Sequence, residues 1–283
     1  MMRVGIHLPQ IGRKAGPEAI RRAAVQAEEL GFADAWSSEH IIIPKGAPYP
    51  PSALFYDPVL TLTWAAAFTK RIGLGTSVLV LPMRHPLPLA KELATLQNLA
   101  EGRLILGAGV GWLEDEFAAL GVPFRERGRR MDEGIAMMRA VWSEDPVSFP
   151  ARHIPAVIDD MRMLPQPVKP IPIWIGGSSE AALNRALRLD GWHGSRLSPE
   201  ALRRSCDVCV KSVRNQNSRF RCAAAGTART TARSPLGSLP MPKPVSVTFW
   251  SSPPSGRSTT GCAPSSGQLG RQRESEHEID HDP

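Results

Sequence analysis

Short apolar runs alternate with stretches of helical periodicity over the first two hundred residues of the chain. The apolar runs predict strands at residues 3–9, 32–39, 71–81, 103–108 and 171–175, and a sixth strand that begins at Gly191. Between them, apolar positions spaced three or four apart predict helices at residues 17–30, 58–70, 87–100, 114–120, 127–142 and 180–189. Residues 143–170 are rich in proline and predict an irregular segment with room for a hairpin.

Six strand-then-helix units in series indicate parallel strands joined by right-handed crossovers. An open doubly wound sheet and a closed barrel both satisfy this order. The first strand-to-helix turn offers only Gln10, Ile11 and Gly12, without the glycine-rich fingerprint of a dinucleotide-binding fold. We therefore predict an α/β protein built as a TIM (β/α)8 barrel.

Barrel enzymes place their chemistry just beyond the C-terminal ends of the strands. In this chain those positions hold His7, Glu39, His40 and residues 76–78, 107–112 and 176–179. The last segment, Gly176-Gly177-Ser178-Ser179, directly precedes a predicted helix. Open backbone N–H groups, a hydroxyl and a helix N-terminus together favour an anion such as a cofactor phosphate.

Several strings around these positions resemble one known family. LGFADAWSSEH, RIGLGTSVLVLPMRHPLPLAKELATL, EGRLILGAGVGWLEDEF, RGRRMDEGIAMMRAVW, PIPIWIGGSS and DGWH occur in this order between residues 30 and 193. They resemble the luciferase-like monooxygenase superfamily, and within it most of all the coenzyme F420-dependent oxidoreductases. FMN-dependent relatives share much of the same frame, so the resemblance is specific to the superfamily and less specific to the cofactor.

The resemblance implies a bacterial-luciferase-like barrel with a tricyclic deazaflavin across its mouth. His40 and Glu39 match the pair after the second strand that faces the cofactor ring, and we assign them as catalytic. Residues 76–78 match the segment where the family often carries a cis peptide bond without proline. With the other strand ends, the predicted cofactor-binding set is His7, Thr76, Ser77, Val78, Gly109, Gly111, Trp112, Gly176, Gly177, Ser178 and Ser179.

One position departs from part of the family. Some F420-dependent dehydrogenases place a carboxylic acid where Trp112 stands in this chain. The proton donor would then be His40, Glu39 or solvent, and oxidation of a sugar-like alcohol becomes a weaker prediction.

Each of these residues also has a purely structural interpretation. An isolated histidine such as His7 is more often a satisfied polar group near a core edge than a functional one. The glycines at 107, 109 and 111 can simply form a strand-to-helix turn. Ser178 or Ser179 can cap the following helix without binding any ligand.

Net positive charge and cysteine are concentrated in the last third of the chain. Residues 1–202 hold 22 basic and 21 acidic side chains, whereas 12 basic and 6 acidic side chains follow. A near-neutral body argues against a nucleic-acid-binding face. All four cysteines, Cys206, Cys209, Cys222 and Cys262, also lie there, and one Cys-x-x-Cys pair without a second pair predicts no metal site.

No apolar run is long enough to predict a membrane span, and the first residues lead directly into a strand without the apolar region of a signal peptide. We therefore expect a cytoplasmic protein that acts on a small-molecule substrate. If the barrel is complete, we expect a homodimer.

The barrel pattern stops near residue 203. Arginine, serine, threonine, proline, glycine and alanine dominate residues 212–270, and the best strand candidate there is residues 245–250, VSVTFW. We predict a barrel portion at residues 1–205, incomplete after the sixth strand, and an atypical, disordered tail at residues 206–283. A shift of the reading frame near residues 200–215 is our preferred explanation, and a natural divergent tail is the alternative.

Three functions stay open at this stage. The first is hydride transfer between coenzyme F420 and a small organic substrate, in a chain whose activity the missing strands put in doubt. The second is an FMN-dependent luciferase-like monooxygenase. The third is a non-catalytic remnant that keeps the barrel scaffold.

Overall fold

Eight strands close into a ring in the computed structural model of the chain, which describes residues 2–50, 52–195, 221–227 and 246–251. All of these residues belong to one compact unit, residues 1–253. The strands are β1 (Met2–His7), β2 (Asp34–Ser37), β3 (Gly73–Thr76), β4 (Leu79–Val80), β5 (Leu104–Gly109), β6 (Val147–Phe149), β7 (Ile158–Met161), β8 (Ile173–Gly176), β9 (Gly191–Ser195), β10 (Arg221–Thr227) and β11 (Ser246–Ser251). The helices are α1 (Pro17–Glu29), α2 (Pro58–Phe68), α3 (Pro86–Leu99), α4 (Glu114–Ala119), α5 (Arg127–Ser143) and α6 (Glu180–Ala186).

Neighbouring strands run parallel around most of the ring. β1 pairs with β2, β2 with β3, β3 with β5, β5 with β8 and β8 with β9, all in parallel register. The short β4 also pairs with β5, and β6 and β7 form a separate antiparallel hairpin after α5. The parallel α/β barrel predicted from the sequence is confirmed for this part of the chain.

The closing strands correct one part of the prediction. The described structure contains the six predicted parallel strands, namely β1, β2, β3, β5, β8 and β9. The sheet itself does not stop there: β10 pairs parallel with β9, and β11 pairs antiparallel with both β10 and β1. β11 contains the β-branched and aromatic run noted above, whereas the alanine-rich β10 has little strand propensity and was missed.

Apart from β10 and β11, the segment predicted to be disordered lies outside the described residues. So do Cys206, Cys209 and Cys262 and the proposed shift of the reading frame near residues 200–215.

Local sequence signals set the helix starts. Pro17, Pro58 and Pro86 occupy the first turns of α1, α2 and α3, where a backbone N–H is not needed. Asp57 caps α2 because its side chain accepts a hydrogen bond from the Leu60 N–H at 2.9 Å. Among the helices of the described ranges, none is long and apolar enough to cross a lipid bilayer.

The barrel interior is filled by side chains rather than left as a channel. Trp36 of β2, Ile105 of β5 and Trp174 of β8 form a buried cluster, and the two indole centroids lie 5.6 Å apart. Strands on different sides of the ring can make such contacts only through its interior. A Cβ atom on Gly75 would collide with the Trp36 ring, so the glycine lets the indole lie against the backbone of β3.

Candidate active site at the barrel mouth

The C-terminal ends of the parallel strands meet at one end of the ring, which we call the mouth. His7 ends β1, Thr76 ends β3, Gly109 ends β5 and Gly176 ends β8. His40 follows β2 by three residues. The parallel pairing therefore brings together the strand ends that the sequence singled out.

The segment after β3 crosses the mouth. The peptide bond between Ser77 and Val78 is cis, as the family resemblance led us to expect. The Thr76 hydroxyl donates to the carbonyl of Gly107 at 2.7 Å, and the Ser77 N–H donates to the carbonyl of Ser37 at 2.7 Å. These bonds tie the segment to the strands on either side of β3.

Glycines around this segment have packing reasons of their own. A Cβ atom on Gly109 would lie 2.6 Å from a Val78 methyl carbon, and one on Gly176 would lie 2.7 Å from the other methyl carbon. Gly111 has φ of +81°, and a Cβ atom there would lie 2.6 Å from Phe117. Contacts with Val78 and Phe117 thus explain why these three positions are glycine. Contact between these glycines and a cofactor remains a prediction.

His40 lies at the mouth and packs against aromatic side chains. Its ring meets Phe55 and Trp112 edge to face, with centroids 5.2 and 5.9 Å away. Trp112 also lies 6.0 Å from the ring of Tyr49, and more than half of Trp112 is exposed. The Nδ1 atom of His40 lies 3.1 Å from Oε2 of Glu116.

Glu116 is the carboxylate partner of His40, and the sequence interpretation missed it. Glu116 lies on α4, and its side chain is buried. Its Oε1 atom accepts the N–H groups of Ile41 at 2.5 Å and Ile42 at 3.2 Å. Burial tends to raise the pKa of this carboxyl, but the hydrogen bonds from His40 and the two N–H groups lower it below its usual value. Glu116 is therefore ionised at neutral pH.

Glu39 belongs to a different network from its neighbour in sequence. The carboxylate is buried, and it accepts the Val80 N–H at 2.6 Å and the Nε–H of Arg84 at 2.6 Å. The Arg84 guanidinium also bonds Asp57 at 2.5 Å. Burial raises the pKa of Glu39, and Arg84 opposes that rise. The structure thus gives Glu39 a role in holding the β4 segment, while its predicted catalytic role stays a prediction.

Two histidines line the inner side of the mouth. The Nε2 atom of His7 lies 3.1 Å from the Ser38 hydroxyl, and burial lowers the pKa of the His7 imidazole. His193 of β9 is buried, and its ring meets that of Trp36 edge to face with the two centroids 5.3 Å apart. Burial lowers the pKa of His193 to about 4. The string DGWH contained His193, but no spacing signal separated it from an ordinary strand residue.

The predicted anion site opens α6 at the surface. Gly177 has φ of +112°, and its N–H donates to the carbonyl of His193 at 3.3 Å. The Ser179 hydroxyl accepts the Ala182 N–H at 3.2 Å, so it caps the helix. Gly177, Ser178 and Ser179 are all exposed. The helix-capping interpretation of Ser179 is therefore confirmed, and phosphate binding remains a prediction.

In the described ranges, no group of three or more His, Cys, Asp or Glu side chains is arranged so that it could hold a metal ion. A surface cleft of about 390 Å³ lies between α2 and α3 and includes Asp57 and Arg84 in its lining.

Comparison with known proteins places this geometry in a family. Residues 2–225 match the family model described as luciferase-like monooxygenase. The chain belongs to the luciferase-like monooxygenase family. The resemblance to the superfamily drawn from the sequence strings is confirmed.

Two relatives carry names that include coenzyme F420. The chain is 36% identical over 182 residues to a protein named F420-dependent glucose-6-phosphate dehydrogenase from Kineococcus radiotolerans, covering 62% of this chain and 52% of that protein. It is 33% identical over 189 residues to the protein of the same name from Amycolatopsis mediterranei, covering 63% and 55%. The chain therefore spans about half the length of these relatives.

Two solved structures share the fold. The monooxygenase RslO1 from Streptomyces bottropensis superposes with a TM-score of 0.64 at 28% identity, covering 76% of this chain and 66% of that one. The coenzyme F420-dependent tetrahydromethanopterin reductase from Methanopyrus kandleri gives a TM-score of 0.63 at 22% identity, covering 79% and 65%. The second likeness concerns the fold alone.

Proposed function

We propose that this luciferase-like protein transfers a hydride between coenzyme F420 and a small organic substrate bound at the barrel mouth. The observation that carries the proposal is the setting of His40. One ring nitrogen is held by Glu116, while the Nε2 atom has no hydrogen-bond partner among the described residues. An imidazole held in this way beside an exposed indole is suited to exchange a proton with a ligand.

The residues present at the mouth fit a planar cofactor with an anionic tail. Val78 fills the space left by Gly109 and Gly176, so the middle of the mouth has an apolar floor. The half-exposed Trp112 offers an aromatic surface at the rim. The exposed residues 177–179 would hold the phosphate, with Gly177 leaving room for it and Ser178 and Ser179 offering backbone N–H groups. When bound, the deazaflavin supplies a carbon centre that accepts or donates the hydride.

The role of the protein is then to bind, orient and move a proton. The Nε2 atom of His40 would take the proton of a substrate hydroxyl or return it in the reverse direction. Glu39 is a weaker candidate for this role because Arg84 and the Val80 N–H already occupy its carboxylate. Since Trp112 is not an acid, proton exchange falls to His40 or to solvent.

A second candidate is an FMN-dependent monooxygenase. The monooxygenase RslO1, at 28% identity, supports this alternative. The two named dehydrogenases are more similar in sequence and favour F420.

Binding titrations separate these candidates. Purified full-length chain is titrated with F420 and with FMN in parallel, and quenching of cofactor fluorescence is followed. We expect saturable quenching with F420 and at least tenfold weaker binding of FMN. Tighter binding of FMN would support the monooxygenase, and binding of neither cofactor would favour a non-catalytic scaffold.

A further inference from the structure

The two carboxylate oxygens of Glu116 serve different partners. Oε1 accepts the backbone N–H groups of Ile41 and Ile42, and Oε2 lies 3.1 Å from Nδ1 of His40. The Glu116 side chain is 3% exposed and that of His40 is 10% exposed, so water competes little for this contact. One buried group thus holds both the loop after His40 and the ring of His40.

The chemistry of the carboxylate decides which ring nitrogen of His40 carries the proton. An ionised carboxylate only accepts hydrogen bonds, so the Nδ1 atom must donate. In a neutral imidazole the Nε2 atom then has a lone pair and no hydrogen. The hydrogen bonds that lower the pKa of Glu116 keep the carboxylate in this accepting form.

We propose that Glu116 is a positioning residue that fixes His40 in the Nδ1–H tautomer and so makes Nε2 a proton acceptor at the mouth. The catalytic consequence rests on the proposed function. In the oxidative direction the Nε2 atom would accept the proton of a substrate hydroxyl, while the adjacent carbon would lose a hydride that a bound deazaflavin can accept. The alcohol would become a carbonyl compound, so atoms and electrons balance.

A single substitution separates this role from simple anchoring of the loop. In Glu116→Gln the one remaining oxygen is needed by the N–H groups of Ile41 and Ile42, because only an oxygen can accept them. The amide NH₂ then faces His40 and donates to Nδ1. The proton of the neutral ring must move to Nε2, and the tautomer is inverted while the loop anchor is kept.

Glu28 offers a matched control. Like the carboxylate of Glu116, that of Glu28 accepts consecutive backbone N–H groups, in this case the three of Lys70, Arg71 and Ile72. The described hydrogen bonds of Glu28 involve no imidazole. Glu28→Gln therefore removes an equal charge and a similar anchor without touching His40.

Long-range ¹H–¹⁵N correlation spectra of the full chain with ¹⁵N-labelled histidine report the tautomer directly, without any cofactor. The His40 signals are assigned by their loss in His40→Asn, and the spectra are recorded at a pH where the ring is neutral. We expect the Nδ1–H pattern in the unmodified chain and in Glu28→Gln, and the Nε2–H pattern in Glu116→Gln. An Nε2–H pattern in the unmodified chain would overturn the proposal even if the Gln variant failed to fold. An unchanged pattern in a folded Glu116→Gln would also overturn it.

Turnover with F420 gives a second readout. We expect Glu116→Gln to lower kcat at least tenfold while the KM for F420 changes less than threefold. Glu28→Gln should leave both constants near their original values. A kcat of Glu116→Gln equal to that of the unmodified chain would contradict the catalytic consequence. If the unmodified chain binds no F420, the proposed function fails, and the tautomer spectra still decide the role of Glu116.

Discussion

The methyl groups of Val78 occupy the space that a side chain at Gly109 would need, with 2.6 Å between the nearer methyl carbon and the position of a Cβ atom at residue 109. Separations under 3.0 Å require one of the two groups to move. We expect Gly109→Ala to destabilise the chain by about 1–3 kcal/mol, the usual range for overpacking. Thermal and urea unfolding would measure the loss. Gly16→Ala is the control, because nothing lies within 4 Å of a Cβ atom there.

The same contact predicts a non-additive pair. In Val78→Ala the methyl carbons are absent, and the Val78 Cβ atom already lies 3.7 Å from a Cβ atom at residue 109. Gly109→Ala should therefore cost much less in the Val78→Ala background than alone. Additive losses in the double variant would mean that the glycine is required for another reason.

The order of elements could be predicted from the sequence because each signal was local. Proline in the first turns of α1 to α3 and the apolar runs of β1, β5 and β8 leave little choice of element type. The closing strands could not be predicted in the same way. Whether Arg221–Thr227 forms a strand depends on its pairing with β9 and β11, and that information is not present in its own composition.

A turnover prediction follows from the open Nε2 atom of His40. We expect His40→Ala to lower turnover with F420 at least tenfold, a loss of about 1.4 kcal/mol in transition-state stabilisation. The fold should survive because the ring is replaced by a smaller group at the edge of the mouth. Circular dichroism and steady-state kinetics test both points. His153→Ala is the control, since His153 is exposed and its described hydrogen bonds use only backbone atoms. Unchanged turnover in a folded His40→Ala would remove His40 from the mechanism.

The site illustrates the limit of sequence reasoning more clearly than the fold does. Glu39 and His40 are adjacent in the chain, and the sequence suggested that they act as a pair. In the structure His40 bonds Glu116, which is 76 residues away, while Glu39 bonds Arg84. Nothing in the run Glu114-Asp115-Glu116 marks its last member, because only the packing of α4 buries that carboxylate.

The predicted phosphate site can be tested by charge alone. Gly177 has a positive φ, so any side chain there strains the backbone. Gly177→Asp and Gly177→Asn share that strain and nearly the same shape, but only Asp adds a negative charge. We expect Gly177→Asp to abolish F420 binding and Gly177→Asn to weaken it by a smaller factor, as measured by fluorescence quenching. Equal affinities in the two variants would show that the phosphate binds at another part of the mouth.

The last prediction concerns acid stability and the buried ring of His193. Desolvation lowers its pKa to about 4 from the ordinary value of 6.5, and its Nε2 atom has no partner in the described part of the chain. Between these two pH values the unfolded chain binds a proton at this position and the folded chain does not. The free energy of unfolding must therefore fall as the pH drops from 6.5 to about 4, by about 3 kcal/mol, and this contribution levels off below that range.

His193→Phe keeps an aromatic edge near Trp36 and removes the titrating group, so the unfolding free energy of this variant should depend less steeply on pH across this window. Burial also lowers the pKa of His7, so this residue contributes a slope of the same sign in both proteins. Urea unfolding at several pH values would measure both slopes, and identical slopes in the two proteins would show that His193 is already accessible to protons in the folded state.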